Sequence, residues 1–575
     1  MVSLKKKMTG PVAGARRSKA WSARMTARLA LPFALLSIAA NAHAGAKEQD
    51  VPPRPNFLII VADDLGYSDT GAFGGEIDTP NLDAIAARGL KLANLHASPT
   101  CSPSRAMLLT GLDNHEAGLG TMAEAIDSAQ RGQPGYEGVL RSDATTLAER
   151  LGRAGYCTSF SGKWHLGLDA RQSPSERGFQ HSFALLQAAH NHFGSDLSED
   201  PGRGATYRKN GAIVRALPAD FYSSDYFATR LIEQIGACEK RSQPFFAYLA
   251  FSAPHFPLQA PVESIRKYRG KYAQGHGVLR ETRLARQVEL GILDPSVKAH
   301  PFDLAPSWNS LTPDQKALSA RRMEVYAGMV DRLDWNVGRV IDELERNGTL
   351  DNTVILFLSD NGVDGMALAA QSSGSKIGRR YALADNRLEN IGSASSYESI
   401  GPGWAEAISA PLWRYKGFQS EGGTRVPGII AGPNVPNGTS KVFMSVMDVV
   451  PTFLNMAGVA KHQANSATGA IKPIRGLSWV PWMNSDAARV YSPQRAVGSE
   501  LLGGRALRKG DWKLVDLGDR RWRLFNLARD PGEVEDLSDT ETDKKAELVE
   551  AWEGYAAEVA VVLPGVPVLP DLDGR

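Results

Sequence analysis

Two apolar runs of this 575-residue chain end in acidic pairs: NFLIIVA (56–62) runs into Asp63-Asp64, and TVILFLS (353–359) into Asp360-Asn361. Neighbouring side chains on a strand point to opposite faces. Two neighbours can aim at one point only where the strand ends and the backbone turns, and both pairs occupy such a place. Together they would offer three carboxylates and one amide oxygen. Three buried negative charges need a compensating cation. An all-oxygen set suits a hard divalent ion, Ca²⁺ or Mg²⁺, better than Zn²⁺. The same residues are also ordinary turn formers, so the pairs alone leave both readings open. Two more runs end on basic groups. TSFSGKWH (158–165) delivers Lys163 and His165, which share a face if the strand persists, and FFAYLAFSAPH (245–255) delivers His255. Beside a dication these would supply positive charge and proton transfer. Taken singly, each is also a common structural residue.

A cysteine stands near a helix start. HASPTCSPSRAMLLTG (96–111) predicts Cys101 in a turn broken by Pro99 and Pro103, with a helix beginning at Ser104. A helix N-terminus and Arg105 favour an anion there, which predicts a reactive thiol. The competing reading is a small apolar residue in a tight turn. Among the other histidines, His115 could border a pocket beside this helix. His190 and His192 fit a substrate-side loop better than a zinc pair.

The elements that must carry these residues alternate. After the first run, DTPNLDAIAARG (78–89) reads as a helix with Asp78 or Thr79 as cap, Pro80 near its first position and Gly89 as its stop. Residues 321–348 show apolar residues at helical spacing, ending on Gly348. Continuous apolar strands suit a sheet buried on both faces. Strand and helix in turn predict an α/β fold with a large, mostly parallel sheet flanked by helices. Residues 363–425 lack periodicity and predict a long surface excursion near a site. From about residue 486 the pattern changes. Residues 505–538 alternate around Gly and Asp turns, which predicts antiparallel hairpins, and 546–563 read as a closing helix.

Composition narrows the class. At 43% hydrophobic and 22% charged residues the chain is globular. The net charge of +2 belongs to the first 44 residues, which hold eight Lys/Arg and no acid; the rest carries 57 Lys/Arg against 63 Asp/Glu. Binding to nucleic acid through bulk charge is thereby disfavoured. LALPFALLSIAA (29–40) followed by Ala42-His43-Ala44 has the anatomy of a secretory signal peptide and is too short to span a membrane. Met25 would give a more compact leader, and Arg16-Arg17 fits twin-arginine export poorly. An exported, periplasmic protein without membrane insertion is expected. Three cysteines exclude a disulfide scaffold. Cys157 and Cys238 could pair, but separate buried roles are the stronger expectation.

Cys101-Ser102-Pro103-Ser104-Arg105, with Ala106, Leu109, Thr110 and Gly111, resembles the signature of the formylglycine-dependent sulfatases. VADDLGYSD (61–69), GKWHLG (162–167), SAPHFP (252–257), SDNG (359–362) and YKGFQSEGGTRVP (415–427) follow in that family's order. LFNLARDPGEVEDLS (524–538) resembles its C-terminal signature. DNRLENIG (385–392) and GPGWAEAISAPLWRYKGF (401–418) look most like the bacterial arylsulfatases. Val363 departs from the second glycine often found after the DNG triplet, which affects a turn rather than a ligand.

The resemblance implies an alkaline-phosphatase-like α/β fold plus a smaller C-terminal α+β domain with an antiparallel sheet. The expected division is a leader at 1–44, a catalytic domain at 45–485 and a subdomain at 486–575. Asp63, Asp64, Asp360 and Asn361 match the family's metal ligands, with Ca²⁺ expected ahead of Mg²⁺. Cys101 matches the formylglycine precursor, which implies a maturation enzyme as partner and a covalent sulfo-enzyme in the reaction. Lys163 and Lys416 match sulfate-binding lysines. His255, with Lys416, would serve the leaving group, His165 would accept the second hydroxyl's proton, and Arg105 would orient the formylglycine. The implied activity is hydrolysis of sulfate monoesters. Three alternatives remain open: a phosphonate-monoester or phosphodiester hydrolase of the same superfamily, a sulfated-polysaccharide enzyme, and a silent sulfate-ester binder if Cys101 is unmodified.

Overall fold

A computed structural model describes residues 54–241, 243–460 and 472–566. The expected leader lies outside the described residues. An 11-stranded sheet forms the centre. Five of its strands run parallel, in the spatial order Thr353–Ser359, Asn56–Asp63, Phe245–Pro254, Cys157–Lys163 and His181–Leu185. Arg425–Ala431 joins antiparallel to Thr353–Ser359 and then pairs with Gly89–His96, which therefore runs with the parallel set. The carboxyl ends of the acidic and basic runs thus lie at one edge, where ligands of open α/β sheets bind.

The strands are buried on both faces, and their alternation divides two cores. Leu58, Ile60 and Ala62 pack on one side with the helices Ser223–Glu239 and Pro313–Arg346. Phe57, Ile59 and Val61 pack on the other with Cys101–Thr110 and Val449–Met456. Truncating one such residue to alanine costs about 2–5 kcal/mol. The long helix starts eight residues earlier than its apolar spacing predicts. Thr312 Oγ1 accepts from the Gln315 N–H while the Gln315 side chain accepts from the Thr312 N–H, a reciprocal cap that fixes the start.

Two expectations need correction. The 363–425 region is not a surface excursion throughout. From residue 399 onward it enters the core, with Trp404, Ile408 and Phe418 fully buried. Its helix Pro402–Ser409 is buried on nearly every side, so no amphipathic period marks it. Cys157 and Cys238 do pair: a disulfide ties the start of one parallel strand to the end of the helix Ser223–Glu239 across 81 residues.

A second, four-stranded antiparallel sheet runs Ala496–Leu501, Gly504–Lys509, Trp512–Asp516, Arg523–Asn526. The helix Thr542–Glu558 covers it, burying Leu548 and Trp552 against Leu507, Leu514 and Leu524. No helix among the described residues is long and apolar enough to cross a membrane.

Candidate active site

Four strand ends and one helix start converge. Asp63 closes its strand, and Asp64 follows at φ 66°, a left-handed turn that lets both carboxylates face one point. The Asp360 N–H donates to the Ala62 carbonyl at 3.1 Å and brings the second pair alongside. Gly162 permits the close approach of the next strand. Its φ is 124°, and a Cβ there would meet the Ala250 carbonyl oxygen at 1.8 Å. Lys163 follows and places Nζ 2.6 Å from Asp63 Oδ2.

Cys101 is the first residue of its helix rather than part of a preceding turn. Pro103 does not break the helix, because amide N–H groups in a first turn have no intrahelical acceptor anyway. The Cys101 Sγ lies 3.4 Å from Asp63 Oδ1 and 3.9 Å from Asp64 Oδ1. Arg105, one turn on, donates from Nε to Asp360 Oδ2 at 2.9 Å and from Nη1 to the Lys163 carbonyl at 2.8 Å. Lys416 Nζ sits 2.8 Å from Asp64 Oδ2. Its turn is stitched from both sides, by the Lys416 N–H to the Val363 carbonyl and the Gly417 N–H to the Pro99 carbonyl. His255 places Nε2 3.5 Å from Asp64 Oδ2 and donates from Nδ1 to the Phe256 carbonyl.

The electrostatics follow from burial among charges. Burial pushes Asp64 up to about 8, with Asp63, Asp364 and Asp360 adding to the rise and Lys416 opposing it. Asp63 goes the other way: burial would raise it, but Lys163, His255, Arg105 and Lys416 hold it well below the usual range. Burial drives the Cys101 thiol well up, against Lys163 and Lys416. Burial thus works against a thiolate at this side chain, which is 1% exposed.

The residues fit a hard dication. Asp63, Asp64, Cys101 and His255 offer ligand atoms within 4.8 Å of one another. Asn361 Nδ2 donates to Asp64 Oδ1 and the Gly362 carbonyl, while its buried Oδ1 has no partner. A buried amide oxygen with open lone pairs amid crowded carboxylates is what such an ion requires.

Nine of the ten expected site residues meet here. His165 stands apart. The strand stops at Lys163, and His165 follows at φ 55°, so the two do not share a strand face. Its Nε2 lies 3.0 Å from Glu124 Oε1, and its buried Nδ1 has no partner. Glu124 was not foreseen; it sits in a short 3-10 turn with no motif around it. Burial opposes its charge, but His165 and Lys163 bring it down to about 2.

The remaining histidines take other places. His190 and His192 are both buried. His190 bonds Ser252 and Tyr207, while His192 donates from Nε2 to the His255 carbonyl and so backs that residue. His115 does not line the catalytic cluster; it is buried between Asp113 and Glu500 of the second sheet.

The sequence model of the Sulfatase family matches residues 55–459. An uncharacterised sulfatase of Schizosaccharomyces pombe is 45% identical over 536 residues, covering 88% of this chain and 94% of the relative. An arylsulfatase of Klebsiella aerogenes is 38% identical over 447 residues, covering 77% and 93%. In fold, the crystal structure of Ps i-CgsB in complex with k-i-k-neocarrahexaose aligns with a TM-score of 0.62 at 24% identity, covering 89% and 94%.

Proposed function

The chain belongs to the sulfatase family and is a sulfuric ester hydrolase; from that premise we propose that it is an exported arylsulfatase working through Cys101 and a calcium ion. One observation carries the reading: Cys101 Sγ touches two carboxylates that also hold Lys163 and Lys416, beside an amide oxygen without a partner.

Asp63, Asp64, Asp360 and Asn361 would hold the ion. Three carboxylates face Arg105, Lys163 and Lys416, so a bound dication would supply Lewis-acid polarisation and a net positive cluster that a sulfate monoester offsets. Cys101, oxidised to formylglycine by a maturation enzyme, would supply a hydrated aldehyde with two hydroxyls, one to attack sulfur and one to expel sulfate afterwards. Arg105 fixes the first helical turn against Asp360 and the Lys163 carbonyl, and so orients residue 101. Lys163 and Lys416 would bind the sulfate oxygens, preorganised in a dry site where such charges act most strongly. His255 has its Nδ1–H committed to a carbonyl, which leaves Nε2 as the atom that would hold or pass a proton at the leaving oxygen. His165 would take the second hydroxyl's proton at its unpartnered Nδ1. The leader at 1–44, the boundary near 486 and a periplasmic location belong to the same proposal.

The test is the mass of the tryptic peptide 92–105, together with rates on 4-nitrophenyl sulfate and a phenyl phosphonate ester. Formylglycine at residue 101 and a clear preference for the sulfate are expected. An intact thiol in fully active enzyme, or a preference for the phosphonate, overturns the reading.

A further inference from the structure

Away from the catalytic cluster, a cleft of about 320 Å³ lies between one edge of the large sheet and the second sheet. Lys441, Arg489, Arg495 and Arg508 line it, with Asp511 as its only acid. That acid is already taken: Arg489 donates to both its oxygens, at 2.7 and 2.9 Å. Among the described residues, Lys441, Arg495 and Arg508 form no ion pair with a carboxylate.

Arg508 is the telling one. Its Nε and Nη1 reach only the Gly510 carbonyl at 3.3 Å and Asn94 Oδ1 at 3.4 Å, both neutral and long. Among the described residues it makes no ion pair. Glu421, which attracts it, is committed to Lys513 and His96. Burial draws its guanidinium down to about 10, and Arg425 and Arg489 pull the same way. A partly buried cation that meets only neutral groups is costly unless an anion arrives. Arg495 spends one nitrogen on the Arg475 carbonyl and none on an acid.

The ring faces are not free for stacking. The Arg508 guanidinium covers Phe443 at 4.4 Å, and Arg495 covers Tyr491 at 5.3 Å. What the cleft offers a ligand is charge and planar donor forks, which match tetrahedral oxyanions. Its volume suits a small anion or one charged sugar unit rather than a macromolecule.

We propose that this cleft is a second oxyanion site that takes a sulfate group, either as the free ion or as an ester on a multiply sulfated substrate. The choice of sulfate among tetrahedral anions rests on the family assignment; the site itself rests on the uncompensated charge.

Equilibrium dialysis of the full chain with radiolabelled sulfate tests it. Two ions per chain are expected, of which Lys416→Met removes only one. Arg508→Met should weaken the other about tenfold or more, with hydrolysis of 4-nitrophenyl sulfate in sulfate-free buffer unchanged. Arg495→Gln, at the exposed rim, gives the same readout should Arg508→Met fail to fold. A single ion in the wild type, removed by Lys416→Met, overturns the proposal. So do two ions retained at full affinity in both variants, or a cleft that binds phosphate and excludes sulfate. A single ion that Lys416→Met retains supports the cleft and counts instead against the catalytic reading. A raised KM for a disulfated over a monosulfated sugar in the variants identifies the ester as ligand. Lost inhibition by inorganic sulfate at constant KM identifies the free ion.

Discussion

Lys416 and Glu421 stand five positions apart, yet they belong to two opposite kinds of buried ionic cluster. Around Glu421 the charges close on themselves. Lys513 lies 2.8 Å from Glu421 and 2.9 Å from Glu533; His96 Nε2 lies 3.0 Å from Glu421, and the Glu421 N–H donates to Glu533. Three of the four carboxylate oxygens accept a hydrogen bond and Glu533 Oε1 faces the Lys513 ammonium, although burial and Glu421 still push Glu533 up to about 7. Around Lys416 the acids are crowded enough to push one up to about 8, a thiol sits on two of them, and an amide oxygen is left over. A cluster that holds shape saturates its atoms. One that does chemistry keeps lone pairs open and like charges close. Because both lie on one short segment, the closed cluster anchors the open one: the second sheet grips the turn that presents Lys416.

The contrast can be broken or sharpened by substitution, most strongly at the open end. Cys101→Ala should cost about four orders of magnitude or more in turnover, with little change in the unfolding temperature. Retained turnover would remove the distinction altogether. Asn361→Leu keeps the bulk and deletes the open oxygen. Calcium affinity, followed by titration calorimetry, should fall about tenfold or more, while circular dichroism stays that of the wild type. At the closed end the effect should be on stability. Lys513→Met leaves two carboxylates buried without their cation and should lower unfolding free energy by about 3–5 kcal/mol, measured in urea. Glu124→Gln tests the proposed part of His165, since Glu124 holds only its Nε2. A roughly tenfold fall in kcat is expected, with partial recovery in Glu124→Asp.

The smallest effect concerns pH. Burial disfavours a charged His115, but bonds to Asp113 and Glu500 outweigh it and lift it to about 9. A raised histidine contributes stability that is fully present below about pH 6.5 and lost as pH rises through about 9. The melting temperature should therefore decline over that interval in the wild type, and His115→Gln should flatten the decline.

Much of this was legible in the sequence because strand ends announce themselves. Asp63-Asp64, Asp360-Asn361 and His255 each terminate a continuous apolar run, and a run buried on both faces has nowhere else to put a polar group. The hairpins after 496 were legible from alternation and turn residues. What was hidden depended on contacts between distant segments. The pairing of Cys157 with Cys238 needs the strand and the helix to be docked first. Glu124 reaches His165 across 41 positions from a turn with no pattern of its own. The helix Pro402–Ser409 carries no period because it has no wet face. The early start of the long helix was readable after all, in Thr312 and Gln315, but apolar spacing alone does not register a cap.

The seclusion of Cys101 has a consequence for timing. The Cys101 sulfur lies under two salt-bridged acids and is almost fully covered in the folded chain. If this residue is oxidised to formylglycine as proposed, the enzyme that does so would have to meet the polypeptide before it closes, and closing too early would then shut the modification out.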